Sequence, residues 1–219
     1  MRLFQSGRVG VKICGLTSES DALLCLNAGA DALGFNFYRG SKRFLDPRQS
    51  LEWIRQLEGQ VDRVAVVVNA DASLLGLIRD SHCFEFVQFH GDESPSDCFA
   101  ACFPSWIRAV RVRDDQTLDA CLEYASPHIL LDAWSPQAYG GTGQVADWRL
   151  LADFVSVNPS RNFALAGGLT PSNVGEAIRI VKPRAVDVAG GVESSPGKKD
   201  ARLVKEFIEA ARRPSRLDV

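Results

Sequence analysis

Lys12 and Cys14 stand two residues apart in the run Val11-Lys12-Ile13-Cys14. In an extended strand alternate side chains point to opposite faces, so the two polar groups share one face and Val11 and Ile13 share the other. A thiol accepts a proton only as its thiolate, a form that a neighbouring ammonium favours, so this pair could make a general base. The same alternation in Ile129-Leu130-Leu131-Asp132 sets Asp132 opposite Ile129 and Leu131, a carboxyl that could exchange a proton with a bound molecule. Gln88 and His90 end a third such run, and Asp187 lies in a fourth. Each has a plain structural use as well. An inward aspartate can bond to backbone or pair with Lys12, and Asp187 and Gln88 fit that use as well as a catalytic one. His90 fits a hydrogen-bonded wall better than a metal ligand or a base, because no second ligand type stands near it in sequence.

Paired glycines supply a second signal. Leu165-Ala166-Gly167-Gly168-Leu169 is echoed by Val188-Ala189-Gly190-Gly191-Val192. A glycine pair after a strand can serve a tight turn, or it can bring unobstructed backbone N–H groups to a phosphate; the repetition favours phosphate, with Gly167, Gly168, Gly190 and Gly191 as donors. A third cluster, Tyr139-Gly140-Gly141-Thr142-Gly143, reads as a loop beside the same site, adding Gly141 and Gly143. The segment Tyr38 to Phe44 holds Arg39, Lys42 and Arg43. Such runs are commonly solvated loops, but an arginine there could hold a carboxylate through paired hydrogen bonds.

The elements that must position these groups follow from periodicity. Short β-branched runs are predicted as strands at Val9 to Cys14, Ala32 to Phe37, Arg63 to Asn69, Phe84 to His90, Trp106 to Val112, Ile129 to Asp132, Phe163 to Ala166 and Ala185 to Ala189. Helical spacing predicts helices at Ser20 to Ala28, Pro47 to Leu57, Ala72 to Asp80, Pro95 to Cys102, Thr117 to Tyr124, Trp148 to Val157, Pro171 to Val181 and Lys199 to Ala211. Asp46-Pro47, Ser94-Pro95 and Thr170-Pro171 each place a capping oxygen before a proline at the first helical position. Strict strand-helix alternation requires parallel strands joined by right-handed crossovers, and eight units close into an α/β (β/α)8 barrel. An open dinucleotide-binding sheet is disfavoured because Cys14-Gly15-Leu16-Thr17 stands where GxGxxG would follow the first strand. The expectation is one barrel domain over residues 1–219, with residues 214–219 a loose tail. The candidate groups then fall near strand C-termini, where barrel enzymes build their sites.

Composition narrows the function classes. The chain has 219 residues, 46% hydrophobic and 24% charged, which is enough apolar material for a packed core. A net charge of −2 with scattered Lys and Arg argues against a nucleic-acid partner. Without an apolar run near ~18 residues or a signal-peptide core, no membrane association is expected and the protein reads as cytoplasmic. The six cysteines lack a CxxC pair and the three histidines complete no zinc pattern, so free thiols and no metal are expected, with all but Cys14 in apolar or helical surroundings.

Taken in order and spacing, the motifs VKICGLT at 11–17, GADALGFNFYRGSKRFLDP at 29–47, VQFHGDE at 87–93, LLDAW at 130–134, YGGTGQVADW at 139–148 and AVDVAGGVESSPGKKD at 185–200 resemble the phosphoribosylanthranilate isomerase family of tryptophan biosynthesis. The resemblance runs from Val11 to Ile208. It implies an Amadori rearrangement of N-(5-phosphoribosyl)anthranilate to 1-(o-carboxyphenylamino)-1-deoxyribulose 5-phosphate, without metal or organic cofactor. It also implies Cys14 as general base, Asp132 as general acid that must arrive protonated, and Arg43 at the anthranilate carboxylate. Lys12, His90 and Asp187 are further candidate substrate contacts. The partner expected is a small phosphorylated molecule, with no obligate protein partner. The family commonly has serine where this chain has Ala166 and Ala189, so phosphate contacts there fall to backbone donors. The rivals are the histidine-pathway isomerase, for which an aspartate is expected in place of Cys14, and indole-3-glycerol-phosphate synthase, which needs lysine-based acid chemistry and a longer N-terminus. A non-catalytic phosphate-binding module on the same scaffold is the rival of another class.

Overall fold

The computed structural model describes residues 1–133 and 148–213. Gly141, Gly143, the rest of the Tyr139–Gly143 cluster and the tail 214–219 lie outside the described residues. The strands are β1 (Gly10–Cys14), β2 (Ala32–Asn36), β3 (Asp62–Val67), β4 (Phe86–Phe89), β5 (Trp106–Val112), β6 (His128–Ala133), β7 (Asn162–Leu165) and β8 (Ala185–Val188). They pair in parallel, in chain order, and β8 closes on β1, giving a (β/α)8 barrel. The surrounding helices are α1 (Glu19–Ala28), α2 (Pro47–Arg55), α3 (Ala72–Ser81), α4 (Pro95–Ala100), α5 (Asp115–Cys121), α6 (Trp148–Val157), α7 (Val174–Val181) and α8 (Ala201–Arg212). Between β8 and α8 runs an antiparallel hairpin of β9 (Glu193–Ser195) and β10 (Lys198–Lys199).

Two of the three expected proline starts are real. The Asp46 carboxylate accepts from the Arg48 N–H, and Ser94 forms a reciprocal capping box with Asp97. Thr170-Pro171 is a correction, since α7 starts only at Val174. The reason is local. Asn173 spends its side chain bridging backward, accepting from the Thr170 N–H at 2.8 Å and donating to the Gly168 carbonyl at 3.0 Å, so this segment is a turn. The last helix is also corrected: Lys199, expected to open it, lies in β10, and Asp200 caps a helix that begins at Ala201.

Alternation sorts the barrel as the strands require. Val11, Ile13, Ala65, Val67, Val87, Phe89, Ile129, Leu131, Val186 and Val188 are buried in the layer between strands and helices. A second cluster, with Ala32, Val64, Val66, Phe86, Ile107, Leu130, Ala164 and Ala185, fills the barrel itself. The N-terminal end is stoppered by Leu3 and Phe4: Asp62 accepts from the Leu3 N–H at 2.9 Å, and the Phe4 ring stacks on His128 at 4.5 Å. Apolar filling at that end leaves the polar inward groups for the other.

His128 gives the stopper a pH dependence. Burial lowers its pKa from 6.5 to about 4, so the folded state prefers the neutral ring. The associated stability is fully present above pH 6.5 and is lost as the pH falls towards 4. Urea unfolding across that range should show the loss, and His128→Gln should flatten it; a wild-type curve equal in slope to the variant's would contradict the assignment.

Candidate active site

The C-terminal ends of the strands collect the chemistry. Lys12 and Asp187 are register partners on β1 and β8, both buried, with Nζ 2.9 Å from Oδ1. Burial works against the Lys12 ammonium, yet Asp187 and Cys14 outweigh it and leave its pKa raised. Cys14 ends β1 and is partly exposed. Its register partner on β2 is Gly34, where a Cβ would come within 2.7 Å of the Cys14 Sγ and 3.1 Å of the Lys12 Cε. The missing side chain on β2 is therefore what makes room for the thiol. Lys12 does favour the Cys14 thiolate, but it does not set the outcome. Burial raises the thiol pKa and Asp187 adds to it, and together they outweigh the pull of Lys12 and Lys199.

Asp132 lies one residue from the end of β6, 4% exposed, with its Oδ2 3.3 Å from His90 Nε2. His90 follows β4 directly, and its Nδ1 is 3.1 Å from Gln88 Nε2. With the Gln88 amide donating, the ring hydrogen belongs on Nε2, facing Asp132. Gln88 Oε1 and His90 Nε2 are buried without a hydrogen-bond partner among the described residues. Gln88 Oε1 can accept and His90 Nε2 can donate beside the Asp132 carboxyl. His90 is thus a wall residue, as its sequence context favoured, but one that touches Asp132.

The charge run after β2 divides. Arg39 lies over the Phe44 ring at 5.4 Å, whereas Arg43 reaches the mouth and pairs side-on with Glu193, Nε to Oε1 at 2.8 Å and Nη2 to Oε2 at 2.6 Å. Its path runs over two glycines: a Cβ on Gly15 would stand 2.3 Å from Arg43 Cδ, and one on Gly190 would stand 3.2 Å from Nη2. Gly15 also has φ +77°, a conformation that β-carbons oppose. Arg43 therefore lies against the residue that follows Cys14.

Both glycine pairs have backbone reasons of their own. Gly167 and Gly168 have φ of +89° and +64°, and a Cβ on Gly191 would fall 1.9 Å from the Leu169 carbonyl oxygen, which locks the loops after β7 and β8 together. Of the other cysteines, Cys25, Cys83, Cys98 and Cys121 are buried as expected, but Cys102 is exposed just beyond the end of α4, a correction to its expected apolar setting. All six thiols are free. The groups the sequence reading passed over are Glu193 and Lys199, both within the quoted 185–200 motif. Burial makes Lys199 informative: at 4% exposure a lysine needs partners, and sequence shows neither the burial nor the hairpin that produces it.

The arrangement is that of a β/α-barrel enzyme with its site at the C-terminal mouth. The family model for N-(5′-phosphoribosyl)anthranilate isomerase matches residues 11–210. Proteins of that name from Pelobacter propionicus and Geobacter metallireducens are 44% and 46% identical over 204 residues, which cover 93% of this chain and 96% and 99% of theirs. The phosphoribosyl anthranilate isomerase structure from Thermotoga maritima superposes with a TM-score of 0.83 at 38% identity, covering 93% of this chain and 98% of that one. Another structure of phosphoribosyl anthranilate isomerase, in complex with reduced 1-(o-carboxyphenylamino)-1-deoxyribulose 5-phosphate, gives 0.80 at 37% identity with the same coverage. The chain belongs to the N-(5′-phosphoribosyl)anthranilate isomerase family. No described helix is long and apolar enough to cross a membrane.

Proposed function

We propose that this chain catalyses the Amadori rearrangement of N-(5-phosphoribosyl)anthranilate to 1-(o-carboxyphenylamino)-1-deoxyribulose 5-phosphate, as a cytoplasmic enzyme whose one barrel domain acts on a small dissolved substrate. Asp132 donates its proton to the furanose oxygen as the C1′–O bond breaks, which leaves a C1′ iminium. Cys14, as thiolate, takes the proton from C2′, and the electron pair neutralises the iminium to an enolamine. Tautomerisation of that enolamine gives the ketone, and the two proton handlers exchange protons with solvent to reset. No net oxidation occurs: beyond the cleavage of the C1′–O bond that the proton from Asp132 assists, the steps move protons between substrate, side chains and solvent.

The observation that carries the reading is the pair of proton handlers across one mouth: Cys14 at the end of β1 and buried Asp132 near the end of β6, three strands apart around the barrel. Arg43 supports it as the receptor for the anthranilate carboxylate. Its side-on edge is taken by Glu193, and the end-on edge, one N–H from each terminal nitrogen, suits a second carboxylate. Lys12, His90 and Asp187 line the ribose path in this reading. Backbone N–H groups of Gly141, Gly143, Gly167, Gly168, Gly190 and Gly191 take the phosphate.

The direct test supplies purified protein with the substrate and follows conversion to the aminodeoxyribulose product; binding without conversion would overturn the assignment in favour of a binding module. Arg43→Ala is expected to raise KM roughly ten- to a hundredfold with a smaller effect on kcat, the loss of one charged bidentate contact. An unchanged KM would remove the carboxylate contact from the account.

A further inference from the structure

Lys199 uses all three of its ammonium protons inside the protein. Nζ lies 2.6 Å from the Cys14 carbonyl, 2.8 Å from Glu193 Oε1 and 3.3 Å from the Ala189 carbonyl, and the side chain is fully buried. An ammonium has three donors, so none is left for a substrate; whatever Lys199 does for the reaction, it does through these partners. Two of them belong to the site. Cys14 carries the thiol, and Glu193 holds Arg43 through two hydrogen bonds.

The hairpin that carries the pair is bonded to the rest of the mouth. Glu193 and Lys199 are partners across β9 and β10, the Lys199 N–H donates to Asp21 of α1, and Thr17 donates to the Gly197 carbonyl. Charge bookkeeping gives the pair a second consequence. Arg43 paired with Glu193 alone is neutral, and a neutral receptor has little attraction for a carboxylate. With Lys199 the three groups sum to one positive charge. Burial of Glu193 works against its carboxylate, but Arg43 and Lys199 hold its pKa below the ordinary range, so that carboxylate stays ionised. Burying an ammonium and a carboxylate costs desolvation free energy that an apolar pair would not, so packing alone is a poor reason for them here.

We propose that Lys199 is a positioning residue for the isomerisation, pinning the backbone of Cys14 and keeping the Arg43 carboxylate receptor net cationic although Glu193 is paired with it. The inference rests on the roles of Cys14 and Arg43 given above. Its two halves separate experimentally, because one concerns the carboxylate of the substrate and the other the general base.

The test uses the purified full chain, with N-(5-phosphoribosyl)anthranilate and its aniline counterpart, which lacks the carboxylate, as paired substrates. Lys199→Met is expected to raise KM for the anthranilate substrate about tenfold and to leave KM for the aniline substrate unchanged. The rising limb of kcat/KM against pH moves to higher pH, since the charge of Lys199 no longer favours the thiolate. Adding Glu193→Gln to Lys199→Met restores one net positive charge, so KM recovers while the pH limb stays displaced. This double variant also leaves no buried carboxylate without its ammonium, and it carries the test if the single variant fails to fold. An equal KM rise for both substrates, or a folded Lys199→Met with neither KM nor pH limb moved, would overturn the inference. So would a folded double variant whose KM remains high. Arg43→Ala assayed alongside separates the levels. If it leaves KM unchanged, the carboxylate receptor itself is wrong and this inference falls with it; if it raises KM while Lys199→Met does not, only the role of Lys199 falls.

Discussion

Cys14→Ala is expected to lower kcat by ~10²- to 10⁴-fold while leaving the barrel folded, because it removes the group that takes the C2′ proton. The residue is partly exposed and ends its strand, so the deletion leaves a small void at the mouth. Cys14→Ser should be nearly as inactive as the alanine variant: a hydroxyl fits the space beside Gly34 but is a far weaker proton acceptor at neutral pH. A sulfur with only a packing role would tolerate serine, so normal turnover in either variant would refute the general base. The wild-type pH profile should carry the same signature. Burial holds the Cys14 pKa above the ordinary cysteine range, so only a minor fraction is thiolate at neutral pH and kcat/KM should climb with pH towards that raised pKa. Lys12→Met should push the limb higher still. It removes the largest influence that lowers the thiol pKa and leaves the opposing carboxylate of Asp187 in place. A profile flat through neutral and mildly alkaline pH would place the base elsewhere.

The barrel and its inward groups were legible because both rest on period-two alternation, which registers each residue's face without knowledge of its neighbours. Lys12, Cys14, Gln88, Asp132 and Asp187 all lie where alternation puts them. What alternation does not register is contact between segments distant in sequence. The Arg43 to Glu193 pair joins residues 150 apart and that of Lys199 to the Cys14 carbonyl joins residues 185 apart. Lys199 fits the first residue of an amphipathic helix, because a charged residue beside Asp200 and an apolar stripe is a common helix start. The hairpin preceding α8 took it instead, through the Val192 carbonyl, which accepts from the Asp200 N–H, and the pairing of β10 with β9. At Thr170-Pro171 the proline signal for a helix start is overridden by the reach of Asn173 to Gly168, which the sequence does not display. The net thiol pKa is not legible in the sequence, which displays the cation two residues away but neither the burial nor the Asp187 carboxylate that together outweigh it.

Asp132→Asn is the second variant with a large expected effect, a fall in kcat of ~10²- to 10⁴-fold with KM close to wild type, because the amide nearly matches the carboxyl in size but has no acidic proton for the furanose oxygen. Size matching matters here. Asp132 is buried beside His90, and an alanine would open space next to polar atoms already short of partners. The His90 contact offers the competing explanation, that Asp132 matters only as an anchor for the imidazole. The two accounts separate at His90. An asparagine oxygen can face His90 Nε2 as the carboxylate does at 3.3 Å, so an anchor would survive Asp132→Asn with most of its activity. A proton donor would not. His90→Gln removes the imidazole but keeps Asp132 and should cost far less in kcat than Asp132→Asn, with the larger share of its effect in KM. If His90→Gln proves as damaging to kcat as Asp132→Asn, and the latter retains substantial turnover, then the imidazole and not the carboxyl delivers the proton. The orphaned Nε2 and Gln88 Oε1 would then be read as the working end of a Gln88–His90 donor, with Asp132 holding it in place.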